Sequence, residues 1–131
     1  MSGLSGEAVS FSRIRFTLTV QGKGACAGEL VRHLAPFTVR TIVRAGRVQG
    51  VLTSDRCGLV LLAGMDSGAE KTKKEFSRGD VAYLPLDGSI HIFTKDCSTS
   101  RPMNHLGAVQ EGLDVLDLAK PGDRASLEAS A

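Results

Sequence analysis

Among the residue types in this 131-residue chain that do chemistry, two histidines stand out because their neighbours are apolar. His91 lies between Ile90 and Ile92, and His105 precedes Leu106. With Cys97 they would form a metal site only if the fold gathered them, since none stands at the short spacings of structural zinc motifs. The plainer reading is a pair of hydrogen-bonded core or rim histidines, with no metal and no other cofactor. Cys26, Cys57 and Cys97 are isolated, and no Cys-x-x-Cys occurs. An odd number of scattered thiols, behind a Gly/Ser-rich start without signal-peptide character, predicts a reduced, cytoplasmic protein in which no two cysteines bridge. Gly-x-Ser-x-Gly, P-loop and dinucleotide-binding patterns are absent.

The most informative stretch runs over 79–118. Residues 81–84 are apolar, as are Ile90, Ile92 and Phe93, with Asp87-Gly88 between them as a hairpin turn. Runs that are apolar on both faces predict strands buried on both sides, as in a small filled barrel. Beyond a polar loop comes Leu106-Gly107-Ala108-Val109-Gln110-Glu111-Gly112-Leu113-Asp114-Val115-Leu116. This segment resembles the cyclophilin pattern Phe-Gly-x-Val-x-x-Gly-Met-Asp-Val-Val at Gly107, Val109, Gly112, Asp114 and Val115. Gly79-Asp80-Val81-Ala82-Tyr83-Leu84-Pro85, together with Asn104, is similar to a minimal prokaryotic branch of cyclophilin-like proteins.

The resemblance implies an all-β fold: a closed cyclophilin-like barrel of about eight strands, with one or two helices capping its ends. It also implies a weak peptidyl-prolyl cis-trans isomerase. Rotation about an X-Pro bond breaks amide resonance against a barrier of about 20 kcal/mol. A catalyst needs an apolar slot for the ring, a holder for the flanking carbonyl and a cation near the prolyl nitrogen. On the family pattern Arg40, followed by Thr41-Ile42-Val43, takes the place of the cation, and Gln49, in Gln49-Gly50, that of the carbonyl holder. Pro85, Ile92, Phe93, Met103 and Asn104 are the implied substrate-binding residues. The chain departs from the family at Met103, where the active-site histidine would fall, and it has no tryptophan. The alternative is therefore a barrel that binds a proline-containing peptide or small ligand without turning it over.

The elements that must position these residues follow from periodicity. Residues 1–10 form a flexible tail, and 11–131 a single domain. Over 11–20, Ile14, Phe16, Leu18 and Val20 alternate with polar residues, which predicts a half-buried strand. The spacing of Leu30, Val31 and Leu34 predicts a helix over 25–35, ended by Pro36 and capping the barrel. Residues 37–45 are β-branched and predict a strand, as do 47–53 and 58–63. Residues 64–76 form a surface connection, and 95–102 a loop leading to a strand at 103–109. A short helix follows at 111–118, and a last strand at 123–128 pairs with the first.

Composition closes off other classes. A net charge of +2 offers no basic face for nucleic acid. The longest apolar run, 59–63, is too short to span a bilayer, so no membrane partner is expected. The residues set no oligomeric state.

Overall fold

Alternation at the start of the chain becomes strand β1 (Arg13–Val20), with Ile14, Phe16, Leu18 and Val20 buried and the residues between them exposed. The computed structural model describes residues 12–129, so the expected tail at 1–10 lies outside the described residues. β1 pairs antiparallel with β2 (Gly24–Val31) on one side. On the other it pairs with β9 (Arg124–Ala129), where Leu18 stands opposite Leu127. The first and last strands are neighbours, as their patterns imply.

The remaining strands are β3 (Arg47–Asp55), β4 (Gly58–Leu61), β5 (Lys73–Phe76), β6 (Asp80–Leu84), β7 (Ser89–Phe93) and β8 (Cys97–Glu111). Eight of them close a barrel in the order β2-β1-β9-β3-β4-β7-β6-β8, with β8 returning to β2. β5 stands outside the ring, paired to the first half of β8. The closing seam is held by backbone at very short range. A side chain on Gly28 would strike the Ala108 carbonyl, and one on Gly107 the Glu29 carbonyl.

The helix expected over 25–35 is absent. Gly24–Val31 is β2 and Arg32–Leu34 a 3-10 turn. Leu30, Val31 and Leu34 fit a helical face, but Cys26, Gly28 and Leu30 also alternate, and they are the buried residues. A strand there is what joins β1 to β8. The strand expected over 37–45 is absent too, for Pro36–Ala45 is helix α1. Pro36 opens this helix, because at its first position the missing N–H costs nothing. Val39 and Ile42 turn inward, and packing overrides the β-branched propensity. Helix α2 (Leu113–Leu118) falls where expected and buries Val115 and Leu116. α1 follows the end of β2, while Val115 of α2 meets Gly24 at its start, so the helices close opposite ends. The expected loop at 95–102 belongs to β8, and the connection at 64–76 contains β5.

An eight-strand barrel is just wide enough to be filled by side chains. Phe16, Leu18, Leu30, Leu52, Leu61, Tyr83, Ile90, Ile92, Leu106 and Leu127 belong to that filling. β7 sends Ile90 and Ile92 inward, yet Ser89, His91 and Phe93 on its outer side are buried as well. A second cluster explains this: Cys57, Phe76, Ala82, Leu84, Phe93 and Met103 pack together outside the barrel. Phe76 stacks on Phe93 with ring centroids 4.5 Å apart. β5 and the first half of β8 thus form a strap across the outer face.

The expectation that no cysteines bridge is overturned. Cys57, in the β3–β4 turn, is bonded to Cys97 at the start of β8, leaving Cys26 as a buried free thiol. An odd count says that one thiol is left over, not that all are. Forty residues of separation mean little once the topology brings the two Cα atoms to 5.6 Å. Burial pushes the Cys26 thiol up to about 11. Among the described residues no helix is long and apolar enough to cross a membrane.

Unfolded but unreduced protein should titrate a single sulfhydryl, and Cys57→Ser should lower unfolding stability by about 3–4 kcal/mol, as expected for opening a loop of this length. Gly107→Ala should cost about 2–3 kcal/mol in a urea melt, because the new methyl group has only backbone to displace at the seam.

Candidate functional site

With the barrel interior filled, a ligand must bind outside it or at its ends. The β6–β7 hairpin provides one surface. Gly88 takes a positive φ of 77°, packs against Met65, and donates its N–H to the Leu84 carbonyl at 2.9 Å. The Asp87 carboxylate accepts the Ser89 N–H at 3.0 Å. This rigid turn holds Pro85 half-buried and leaves Leu86 67% exposed. Opposite it, the strap presents Arg101 and Pro102, and the 64–72 connection adds Ala69 and Thr72. Together with Leu84 they line an open, mainly apolar cavity of about 430 Å³. Its floor, Leu84, rests on the outer cluster that also contains Phe93 and Met103. The Arg101 guanidinium forms no hydrogen bond or ion pair with the described residues.

The connection that forms part of this cavity is itself fixed by a buried polar network. Asn104, fully buried, donates from Nδ2 to the Gly68 carbonyl at 2.8 Å and to Thr38 Oγ1 at 3.1 Å. Its Oδ1 accepts the Glu70 N–H at 2.7 Å. Tyr83 donates its hydroxyl proton to the Met65 carbonyl and accepts the Ser67 N–H. Glu70 in turn caps α1, where Ala35 has no capping side chain. Its carboxylate accepts the N–H groups of Phe37 and Thr38 at 2.9 and 2.8 Å, and the Thr38 hydroxyl at 2.6 Å. Burial alone would raise the Glu70 pKa. The hydrogen bonds from Thr38 and Phe37, with the nearby Lys71 charge, outweigh it and hold the carboxyl below its ordinary value.

The residues singled out from sequence do not assemble into one pocket. Arg40 is exposed on α1, its guanidinium 5.3 Å from the Phe37 ring centroid. Gln49 faces outward on β3, where it shares a shallow concavity of about 480 Å³ with Thr19, Gln21, Arg124 and Ser126. Ile92 lies in the barrel core, whereas Phe93 and Met103 lie in the outer cluster. Asn104 is committed to its strut, and Pro85 lines the apolar cavity. Arg101 was not singled out; an arginine beside Pro102 in a polar segment carries no local signal.

The histidines have partners of their own. His91 Nε2 lies 2.9 Å from Ser89 Oγ, and Nδ1 lies 3.8 Å from an Asp55 carboxylate oxygen. The set has the residue types of a hydrolase triad, but Ser89 is 1% exposed and donates its proton to Asp87 at 2.6 Å. Burial pushes the His91 pKa down, against the pull of Asp55 and Asp87. A buried hydroxyl whose proton is already committed is no nucleophile, and the group closes the hairpin. His105 Nε2 lies 3.4 Å from Asp80 and 3.1 Å from the Gly107 carbonyl, with its ring edge-on to Phe76. Cys97 is taken by Cys57, and among the described residues no three His, Cys, Asp or Glu side chains converge as a metal site.

No family model and no curated protein matches the chain. Solved structures do. The hypothetical protein AF2241 from Archaeoglobus fulgidus, known from a solution structure, superposes with a TM-score of 0.67 at 19% identity, over 91% of this chain and 95% of its own. The barrel is shared with this archaeal protein. McbB in complex with tryptophan superposes with a TM-score of 0.72 at 12% identity, over 86% of this chain. The match takes in 44% of the McbB chain, so the present chain spans under half of that protein. At these identities the likeness is one of fold.

Glu70 offers a direct check on the network. Its lowered pKa stabilises the fold above the unfolded carboxyl pKa, and that stability is lost as pH falls through the folded value. Glu70→Gln should cost about 1–2 kcal/mol near pH 7. The gap between wild type and variant should narrow as the pH is lowered to about 3, which paired urea melts at the two pH values would read.

Proposed function

We propose that this barrel is a non-catalytic binding module for an apolar ligand that carries a carboxylate. The observation behind this reading is the cavity of Leu84, Pro85, Leu86, Ala69, Thr72 and Pro102, with the uncommitted Arg101 guanidinium on its wall. Its size lies within the range of small-molecule sites, which pair apolar walls with a few orienting polar groups. A guanidinium matches a carboxylate with parallel N–H donors. The ligand is a small amphipathic acid or the acidic end of an apolar peptide, and both offer the same chemistry to the cavity. Tryptophan, the molecule in the McbB complex, also joins an apolar ring to a carboxylate.

The cyclophilin-like isomerase reading rests on the Gly107–Val115 resemblance. It gains no support from geometry, because Arg40 and Met103 do not share a pocket with an open proline slot.

A decanoate titration followed by the methyl resonances of Leu84 and Leu86 tests the proposal, with decanol and a short apolar acidic peptide as parallel arms. Saturable shifts with decanoate, weaker with decanol, are expected. Arg101→Ala should weaken decanoate binding about threefold to tenfold, the range for a partly exposed ion pair with a carboxylate. Leu86→Asp should abolish binding while leaving the fold intact, since Leu86 is largely exposed. A proline-peptide assay should show no acceleration. Acceleration that Arg40→Ala removes would replace this reading with the isomerase.

A further inference from the structure

The cavity has two fixed sides and one held from outside the barrel. Leu84, Pro85 and Leu86 sit on a barrel hairpin, and Ala69 is anchored by the Asn104 network. Arg101 and Pro102, in contrast, belong to the strap. From Asn104 onward β8 is paired into the barrel with β6 and β2. Before that point its ladder partner is β5, which lies outside the ring.

Few contacts tie the strap to the barrel. Phe76 and Met103 pack on Ala82, Leu84 and Phe93. Arg56, in the β3–β4 turn, donates from Nη2 to the Ser98 carbonyl at 2.6 Å. The same turn holds Cys57, whose bond to Cys97 is a covalent cross-link between strap and barrel in addition to the backbone, which enters the barrel at Asn104. Cys97 is partly exposed, and Arg56 Nη1 lies 3.2 Å from its sulfur, so a cation stands beside the atom that carries charge during thiol exchange.

We propose that the Cys57–Cys97 disulfide is a redox latch on the ligand cavity: closed when oxidised, released by a dithiol. This rests on the binding reading given above. In the release step the Cys57–Cys97 bond breaks and each sulfur takes a proton from the reductant. The reductant's two sulfurs join in a new disulfide, so two electrons pass from dithiol to protein. The strap then keeps its apolar packing and the Arg56 contact but samples positions in which Arg101 and Pro102 no longer face Leu84 and Leu86. Affinity falls by the fraction of time the strap is in place. The barrel keeps its closure, because no seam hydrogen bond depends on the strap.

The test compares oxidised protein, protein in dithiothreitol, and a Cys57→Ser/Cys97→Ser variant with and without dithiothreitol. Amide hydrogen exchange and decanoate titration are read on each. Reduction should speed exchange over 97–103 and 73–76 at least tenfold, leave β1 and β9 unchanged, and weaken decanoate binding about fivefold to tenfold. The double variant should match reduced protein and ignore dithiothreitol; should it fail to fold, reduced wild type carries the comparison. Equal protection of the strap in both redox states would overturn the latch. A loosened strap with unchanged decanoate affinity would overturn its control of the cavity while leaving the ligand reading standing. Absence of decanoate binding in every state, with a loosened strap, would sink the ligand reading and the gating with it.

Discussion

Closure of the sheet between β2 and β8 is the constraint from which the rest follows. Gly28 and Gly107 let the two backbones approach until no side chain fits between them. A ring of eight strands closed at that distance has an interior that its own side chains fill. Lipid-like or peptide-like ligands therefore have no room in the lumen, which leaves the outer surface and the segments laid across it. β7 records this shift, with Ile90 and Ile92 in one core and Phe93 in another.

The 64–72 connection is positioned chiefly by polar groups, while the strap is held by a small apolar cluster. Asn104 leaves β8 at the point where that strand stops belonging to the barrel, and its amide pins Gly68, Glu70 and Thr38. A neutral amide can satisfy all three partners with little desolvation cost, whereas a charged side chain in the same place would need a counter-ion. The single charge in the network, Glu70, is placed against the first N–H groups of α1, where a helix is short of acceptors. One long connection thus caps a helix and shapes a cavity wall with the same few residues.

What could be read from the sequence divides along physical lines. β1 and β9 have one face in the core, and the β6–β7 hairpin is apolar on both faces around a local turn, so their patterns suffice. The exchange of strand and helix over 25–45 shows where pattern fails. Gly24–Val31 admits either period, and Pro36–Ala45 is rich in residues that favour strands. The decisive facts, pairing to β8 and capping by Glu70, come from 70 or more and from about 30 residues away. The strap has no apolar alternation because only Phe76, Cys97 and Met103 of it reach the small outer cluster, and the residues between are polar or exposed. The disulfide was invisible for the same reason: each of its cysteines pairs with a neighbour distant in sequence. Of two conspicuous residues, Pro85 lines the outer cavity, whereas Asn104 is buried as a strut.

A small second cluster outside a filled barrel has consequences for where motion can occur. The barrel core buries residues from every strand of the ring and from both helices, so opening any part of it disturbs the whole. The outer cluster has six residues and is covered on one side by the barrel strands β6 and β7 and on the other by a short, charged strand pair. Its local opening costs far less than global unfolding, and binding elements that must yield are drawn from that low-stability end. A covalent tie from Cys97 to the barrel turn compensates for the sparse packing without enlarging it. Apolar area added to the strap would hold it equally well but could not be undone; a disulfide can, and that difference is the physical reason to place one there.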